Sequence, residues 1–490
     1  MSFLILHIKE WLPSALTRAL GLAAMVLIGL PPDAQALPSF ARQTGQNCVA
    51  CHAGGQFPEL TPFGRMFKLT GYTIGQRTVP LSVMAVGGVS RVANTSKSDA
   101  PDADFQKNFA PVLASASLFI AGKVTNNIGA FAQITYDNYA VTNADGSFSG
   151  HSKADNMDFR YADHIVDGKR DWVYGVSLNN NPSVADPWNT AAAWMQYVPV
   201  PSPTSYQFAD SGGVYPGLGS GGNIAGISAY TLWNKTVYAE LGTYRTASKV
   251  LSFMSAGIDD ASRTKLRGNN PYLRLALTHE WGPHNVMVGA SGMLARVYDA
   301  GTDTANPDNL GRFKNRGLDA QYQYLLDPHT VTAQFAYMRQ EQTYSAATIA
   351  GAAPPYFLAD GVTPVDAVNP SDRTHIFRAK LSYVYQAKYG GSLAFFNRTG
   401  TTNTLNQTAG FDATGQITSA SSTRVTGNLS GNPATRGLTY EAFWIPQQNI
   451  RIGAQYTAYN KFNGANNNYD GFGRNARDNN TLFLYAWLAY

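Results

Sequence analysis

The sequence predicts an all-β fold, a transmembrane antiparallel β-barrel of about 16 strands that occupies most of the chain. Charged residues make up only 14% of the 490 residues, whereas soluble proteins average about 25%. From about Pro80 onward, apolar and polar residues alternate in short runs, and no stretch has a helical period. Tight turns separate paired runs of roughly ten residues, the length that a tilted membrane strand requires. Together these features favour a membrane barrel over residues 79–490.

Residues 1–36 are predicted to be a signal peptide that directs export. Lys9 and Arg18 supply a positive region, the run from Ala19 to Leu30 is apolar, and Ala34-Gln35-Ala36 is a small-residue cleavage site. The alternative is an uncleaved membrane anchor. The sequence disfavours it because the apolar run has 12 residues, fewer than the ~20 that a spanning helix needs.

The chain contains two cysteines, and both belong to the motif Cys48-Val49-Ala50-Cys51-His52. In a C-x-x-C-H motif two thiols add to the two vinyl groups of one haem, and the adjacent histidine binds the iron. The alternatives are a redox dithiol or half of a zinc site. The sequence offers neither a thioredoxin-like βαβ context nor a second cysteine pair, so one covalently attached haem c is the favoured cofactor.

The motif lies in a short segment, residues 37–78, that we predict to be a mostly helical monohaem cytochrome c unit. About forty residues are too few to enclose a haem unaided. Thr61 and Pro62 predict a capped helix whose apolar face includes Met66. We therefore expect this c-type haem segment to plug the lumen, where the barrel completes the haem pocket.

Met66 is the leading candidate for the second axial ligand, because Met with His is a common cytochrome pair. The alternative is that Met66 only packs. The other candidates are Met84, His164, His284, His329 and water. Arg42 and Arg65, together with Lys68, are candidates for charge-assisted hydrogen bonds to the haem propionates. Their alternative role is as solvated charges inside a pore, and no catalytic residue is predicted.

Hairpins make up the predicted barrel. Residues 116–124 alternate between an apolar and a polar face, Thr125-Asn126-Asn127 turns, and residues 128–136 continue the alternation. Six further turns are predicted, at Asp167-Gly168-Lys169, Asn234-Lys235, Trp281-Gly282-Pro283-His284, Asp327-Pro328-His329, Tyr389-Gly390-Gly391 and Pro446-Gln447-Gln448. Opening and closing strands at Leu81–Val92 and Thr481–Tyr490 bring the total to about 16, an even number that fits a closed barrel.

Two faces are predicted for each strand. Phe377, Leu381 and Tyr383 are predicted to face lipid, whereas Arg378 and Gln386 are predicted to face a polar lumen. Likewise, Leu438, Tyr440 and Trp444 are predicted to oppose Thr439 and Glu441. A soluble sandwich is the alternative, but its inward charges would be buried without partners, at a high cost in folding free energy.

The long connections between hairpins, such as 179–222 and 401–433, predict external loops. Both termini are then predicted to lie on the periplasmic side of an outer membrane.

The stretch Leu37-Pro38-Ser39-Phe40-Ala41-Arg42-Gln43-Thr44-Gly45, the C-x-x-C-H motif and the stretch Phe57-Pro58-Glu59-Leu60-Thr61-Pro62-Phe63-Gly64-Arg65 occur in this order ahead of a barrel. This arrangement resembles the fused monohaem cytochrome-porin family. The best-known members of that family are outer-membrane c-type cytochrome Fe(II) oxidases of iron-oxidising bacteria. The specific match covers residues 37–75, and the barrel is similar in architecture and length.

The resemblance implies a one-electron Fe(II) oxidoreductase of the iron:cytochrome c type. Fe(II) or another extracellular donor would give its electron to the iron held by His52, and a periplasmic carrier, a cytochrome c or a cupredoxin, would accept it. The alternatives are a porin or solute channel with a haem-bearing plug, and oxidation of a donor other than iron. Asp319 and Glu441 are candidates for guiding cations through the lumen. The alternative is that these charges simply line a pore. The formal net charge of +5 predicts no nucleic-acid partner.

Overall fold

The computed structural model describes residues 38–55, 59–94, 108–109, 111–142, 148–190, 224–255, 265–299, 301–352, 368–407, 409–411, 417–420, 428–471 and 473–490. The predicted signal peptide lies outside the described residues. Within these ranges, no helix is long and apolar enough to cross a membrane.

Sixteen long strands form one sheet. They are β1 Leu81–Val92, β2 Pro111–Lys123, β3 Ile128–Thr142, β4 Phe148–Val166, β5 Asp171–Asn179, β6 Ile224–Trp233, β7 Val237–Thr246, β8 Asn270–Trp281, β9 His284–Tyr298, β10 Leu310–Leu326, β11 His329–Thr343, β12 Ser371–Tyr385, β13 Tyr389–Gly400, β14 Thr435–Gln447, β15 Ile450–Lys461 and β16 Thr481–Ala489. Three shorter strands are Lys265–Leu266, which pairs with β9, and Ala409–Phe411 and Ile417–Ala420, which pair with each other.

The helices are short. They are α1 Pro38–Thr44, α2 Cys48–Cys51, α3 Pro62–Leu69, α4 Pro182–Ala185 and α5 Ala346–Gly351. Short 3₁₀ helices occupy Ala53–Gly55, Lys249–Met254, Pro307–Asn309, Thr404–Asn406 and Ala476–Asn479. The first three helices belong to the segment predicted to be mostly helical.

The sheet closes on itself. Every long strand is antiparallel to the strands before and after it, and β1 also pairs with β16, with Met84 opposite both Ala489 and Ser117. Closure leaves no unpaired edge, which is the condition for a sheet to stand in a membrane. The predicted 16-strand antiparallel barrel is confirmed.

Short turns join the strands in the predicted pairs, from β2–β3 through β14–β15. One turn differs in position. Tyr389-Gly390-Gly391 was predicted to turn but begins β13, and the chain reverses at residues 386–388 instead. Gln386 and Ala387 both have a positive φ of 52°, as a tight hairpin turn requires at its two central residues. Gln386 therefore lies in an exposed turn and not on the lumen face.

The two faces of the strands differ as predicted. In β12, Leu381 is 53% exposed on the outside, whereas Arg378 is 3% exposed on the inside. In β14, Tyr440 and Trp444 are exposed and Glu441 is buried. An apolar outer band on a closed barrel is typical of an outer-membrane protein, because lipid covers that band.

Two segments fill the lumen. We call the described residues 38–55 and 59–78 the plug and residues 180–190 the inward segment. The plug contacts the inner wall, where the Tyr72 hydroxyl donates to Asp158 at 2.6 Å and the Tyr230 hydroxyl donates to the Leu69 carbonyl at 2.8 Å. The inward segment contains α4, and each of its residues is buried. The barrel thus surrounds the segment that carries the cysteine motif.

Candidate haem site

The cysteine motif forms a single helical turn. Cys48 and Cys51 are the first and last residues of α2, a spacing that puts both side chains on the same face. The His52 backbone N–H donates to the Cys48 carbonyl at 2.8 Å, and His52 itself has extended backbone angles of −120° and 129°. The chain therefore leaves the helix at the histidine, directly after the second thiol.

Helix α3 packs tightly against α2. A Cβ on Gly64 would lie 2.2 Å from the Cys51 carbonyl oxygen, so the contact requires glycine. Thr61 caps α3 by accepting from the Gly64 N–H at 3.1 Å, and its hydroxyl donates to the Ala50 carbonyl. Pro62 occupies the first helical position, as predicted. The two helices form one unit around the motif.

A cavity of about 20 Å³, partly open to solvent, lies between the plug and the wall. The plug contributes Ala53 and Glu59 to its lining, and β11, β12, β14 and β15 contribute the rest. Its charges are paired. Lys380 contacts Glu59 at 2.6 Å, and Arg451 contacts Glu441 at 2.6 Å. The predicted cation-guiding role of Glu441 is disfavoured by this pairing.

The chemistry of the donor set fits a covalently attached haem. Two thiols share one face of α2, and an imidazole follows at the next residue. Burial, together with the neighbouring Cys48, raises the pKa of Cys51 to about 11. Such a thiol is protonated at neutral pH, unlike the reactive thiolates of redox dithiols. In the part of the chain that the structure describes, no three His, Cys, Asp or Glu side chains converge as a metal-ion site would.

Met66 lies on the face of α3 that is turned away from α2. It is two positions from Gly64, which corresponds to about 200° around the helix axis. Its side chain packs against a buried cluster that includes Leu69, Trp188 and Met287. The structure does not bring Met66 against the cysteines, and its role as a haem ligand stays a prediction.

The predicted propionate partners make other contacts. Arg42 is exposed and donates to the carbonyls of Leu81 and Val79. Arg65 is 4% exposed. Its guanidinium donates to Asn285 at 2.7 Å and to Gln323 at 3.0 Å, both on the wall. These contacts fasten the plug, and propionate binding by Arg42 or Arg65 stays a prediction.

Lys68 joins the plug to the inward segment. Its ammonium donates to the carbonyls of Val184 and Asp186, the latter at 3.0 Å. Burial, together with the nearby charge of Arg160, lowers the pKa of Lys68 to about 8. The lysine thus acts as a link between two segments of the lumen.

The remaining candidate ligands are dispersed. Met84 packs beside the aromatic cluster of Tyr72, and His164 pairs with Asp171 at 2.7 Å near a hairpin turn. By strand alternation, His284 and His329 lie on the outer face, where each contacts a tyrosine hydroxyl at 2.8 Å. The wall separates these two histidines from the plug.

The inward segment was not predicted, although residues 179–222 were predicted as a long loop. Arg274, on the wall, holds Asp319 through contacts of 2.5 and 2.7 Å and contacts Asp186 at 3.3 Å. The Thr190 hydroxyl also donates to Asp319. Asp319 is therefore neutralised within a buried cluster, which disfavours its predicted role in guiding cations. The sequence contains one signal that this part of the loop is buried: Trp188, a large apolar residue close to Asp186 in a predicted external loop.

No protein-family model matches the chain, and no curated protein matches it in sequence. Solved porins and channels are similar to it in fold. OmpF of Salmonella typhi, solved in complex with daunomycin, is 12% identical with a TM-score of 0.40, over 84% of this chain and 97% of its own. A loop-deletion mutant of OmpT from Vibrio cholerae is 9% identical with a TM-score of 0.43, over 84% of this chain and 99% of its own. The anion-selective porin from Comamonas acidovorans is 8% identical with a TM-score of 0.42, over 84% and 99%. At these values the similarity concerns the porin-like fold alone.

Proposed function

We propose that the protein transfers electrons across the outer membrane by means of one haem c that is attached to Cys48 and Cys51, with His52 as an axial ligand. The proposed donor is extracellular, with Fe(II) the first candidate, and the proposed acceptor is a periplasmic cytochrome c or cupredoxin. One observation carries the proposal. The C-x-x-C-H motif lies in a plug that is hydrogen-bonded to the inner wall of a membrane barrel.

The haem, when bound, would supply a one-electron carrier. The reaction balances as Fe(II) losing one electron to become Fe(III), while the oxidised periplasmic carrier gains that electron. The chain's own residues hold the motif in place. Gly64 lets α3 close on α2, Arg65 fastens the plug to wall amides, and Lys68 fastens it to the inward segment.

The position of the plug supports electron transfer on grounds of distance. The hydrocarbon core of a membrane is about 30 Å thick, so a single carrier has to lie within the barrel to serve both sides. The plug contacts the wall near the short turns, for example where the Cys48 N–H lies 3.4 Å from the Gln448 side chain. We propose that these turns and both termini face the periplasm, where the acceptor would dock.

The test begins with protein matured in cells that attach c-type haem. We expect a covalent haem mass on the mature chain and a reduced c-type spectrum when Fe(II) is added anaerobically. The double variant Cys48→Ala/Cys51→Ala should fold as a barrel without covalent haem. His52→Ala should retain the covalent mass but change the spectrum. A mature wild-type chain without haem, from cells that mature a control cytochrome, would overturn the proposal.

The second candidate function is a solute channel with a haem-bearing plug. The closed barrel of 16 strands supports it, because barrels of this size commonly enclose a channel. Haem-loaded protein that Fe(II) does not reduce, but that admits small solutes into liposomes, would favour this function. Reduction by another donor, but not by Fe(II), would keep electron transfer and change the donor.

A further inference from the structure

We propose that the outer surface of β9–β12 binds the phosphorylated headgroup of lipopolysaccharide, the glycolipid of the outer leaflet. The binding surface is a basic patch formed by Arg296, Arg312, Lys314, Arg316, Arg339 and Arg373. The inference rests on the proposed orientation of the barrel and is independent of its haem chemistry.

The patch is continuous on the outer face. In β10, Arg312, Lys314 and Arg316 are exposed, and they alternate with Phe313 and Asn315, which are buried towards the lumen. Strand register extends the patch sideways. Arg296 of β9 lies opposite Arg312, and Arg339 of β11 lies opposite Arg316. Arg373 of β12 extends the patch further. It lies opposite Glu341 of β11, and Glu341 lies opposite Lys314 of β10.

The charges of the patch do not balance. Its six cations have one acidic neighbour among the outward-facing side chains described on these four strands, Glu341, which pairs with Arg339 at 2.7 Å. Two cross-strand pairs, Arg296 with Arg312 and Arg316 with Arg339, place like charges directly opposite each other. Like-charged pairs of this kind destabilise a sheet. An external anion between the strands would remove the repulsion.

The height of the patch matches the edge of the membrane. Leu294 and Leu318, which are 51% and 57% exposed, are the next outward residues below Arg296 and Arg316. The patch lies about twelve residues above the short turns, and at ~3.3 Å per residue with a tilt of ~40° this is roughly 30 Å. The apolar band of such barrels is about 25 Å tall. The cations therefore begin where the apolar band ends.

The chemistry of the patch selects a phosphate. Guanidinium groups bind phosphate oxygens through two parallel hydrogen bonds, and five of the six cations are arginines. Lipopolysaccharide presents phosphates on its sugar headgroup at this depth, while its acyl chains would cover Leu294 and Leu318. A free phosphate ion would satisfy the arginines but not the adjoining apolar surface.

The test measures binding of lipid A to the full, matured chain in detergent by native mass spectrometry. The variant Arg312→Gln/Lys314→Gln/Arg316→Gln should bind bisphosphorylated lipid A roughly tenfold more weakly, or worse. The control Lys169→Gln/Arg170→Gln removes exposed basic residues from the opposite rim and should bind like the wild type. Dephosphorylated lipid A should bind the wild type as weakly as the triple variant binds the phosphorylated lipid.

Arg373→Gln alone should lose less affinity for bisphosphorylated lipid A than the triple variant does. This single change carries less risk to folding and provides the test if the triple variant fails to assemble. Equal binding of bisphosphorylated lipid A by all variants would overturn the proposal. So would full competition by millimolar inorganic phosphate, because the patch would then be a free-anion site. The measurement of lipid binding involves no electron transfer. A failure of the lipid proposal therefore leaves the haem proposal intact, and a failure of the haem proposal leaves the lipid proposal intact.

Discussion

Gly64 is the residue on which the packing of the motif helix depends. Replacing it with alanine would place a methyl group about where the Cys51 carbonyl oxygen lies, so α3 would have to move away from α2. We expect the Gly64→Ala plug to lose about 1–3 kcal/mol of docking free energy. Faster hydrogen exchange in residues 48–55 and 62–69 would show the loss. Gly168→Ala is the control, because an added Cβ there meets no atom within 4 Å, and equal exchange in both variants would contradict the prediction.

Lys68 should make docking of the plug dependent on pH. Burial lowers the pKa of Lys68 to about 8, whereas an unfolded lysine titrates near 10.5. Between these values the undocked plug binds more protons, so docking becomes more stable as pH rises from about 8 to 10.5. Hydrogen exchange of α3, corrected for intrinsic rates, should therefore slow across this window. Lys68→Met should lose the dependence, and an unchanged slope in that variant would argue against a lysine origin.

At the scale of single residues, sequence reasoning succeeds where the contacts are local. The Thr61 cap and Pro62 involve neighbours a few residues apart, and the structure has both as predicted. The partners of Arg65 could not be predicted in this way. They are Asn285 and Gln323, which reach Arg65 only after the barrel has closed around the plug.

Among the elements, the inward segment depends on the ion cluster of Arg274. This arginine is fully buried and is held by Asp319 and Asp186. Removing one partner of a buried ion pair costs about 3–5 kcal/mol because the remaining charge is uncompensated. We expect Arg274→Met to release residues 180–190 and expose them to protease. Arg245→Met is a control on the neighbouring strand, since Arg245 is exposed, and equal resistance of both variants would contradict the role of the cluster.

The strands were predictable because each hairpin repeats two local signals, alternation of period two and a turn sequence. The β12–β13 turn was misplaced by about three residues because Gly390 and Gly391 are stronger turn signals than Gln386 and Ala387, which carry the positive φ. The inward segment was missed for a different reason. Its burial depends on Arg274 and Asp319, more than 80 positions along the chain, and a loop with distant ionic partners has no periodic pattern.

For the whole molecule, the plug and the inward segment occupy the space that would conduct solutes in an open barrel. Arg65 and Lys68 hold the plug to the wall and to the inward segment. Truncating either side chain leaves its buried partner atoms without a hydrogen bond, at a cost of roughly 1–3 kcal/mol. We therefore expect the full chain to conduct far less than an open barrel of the same strand number in a planar bilayer. Arg65→Ala/Lys68→Ala should raise the conductance severalfold by loosening the plug, while Lys169→Ala, in an exposed turn, should leave it unchanged. Wild-type conductance as high as that of the double variant would mean that these side chains do not close the lumen. Low conductance in the wild type would show that the plug and the inward segment together close the lumen to ions.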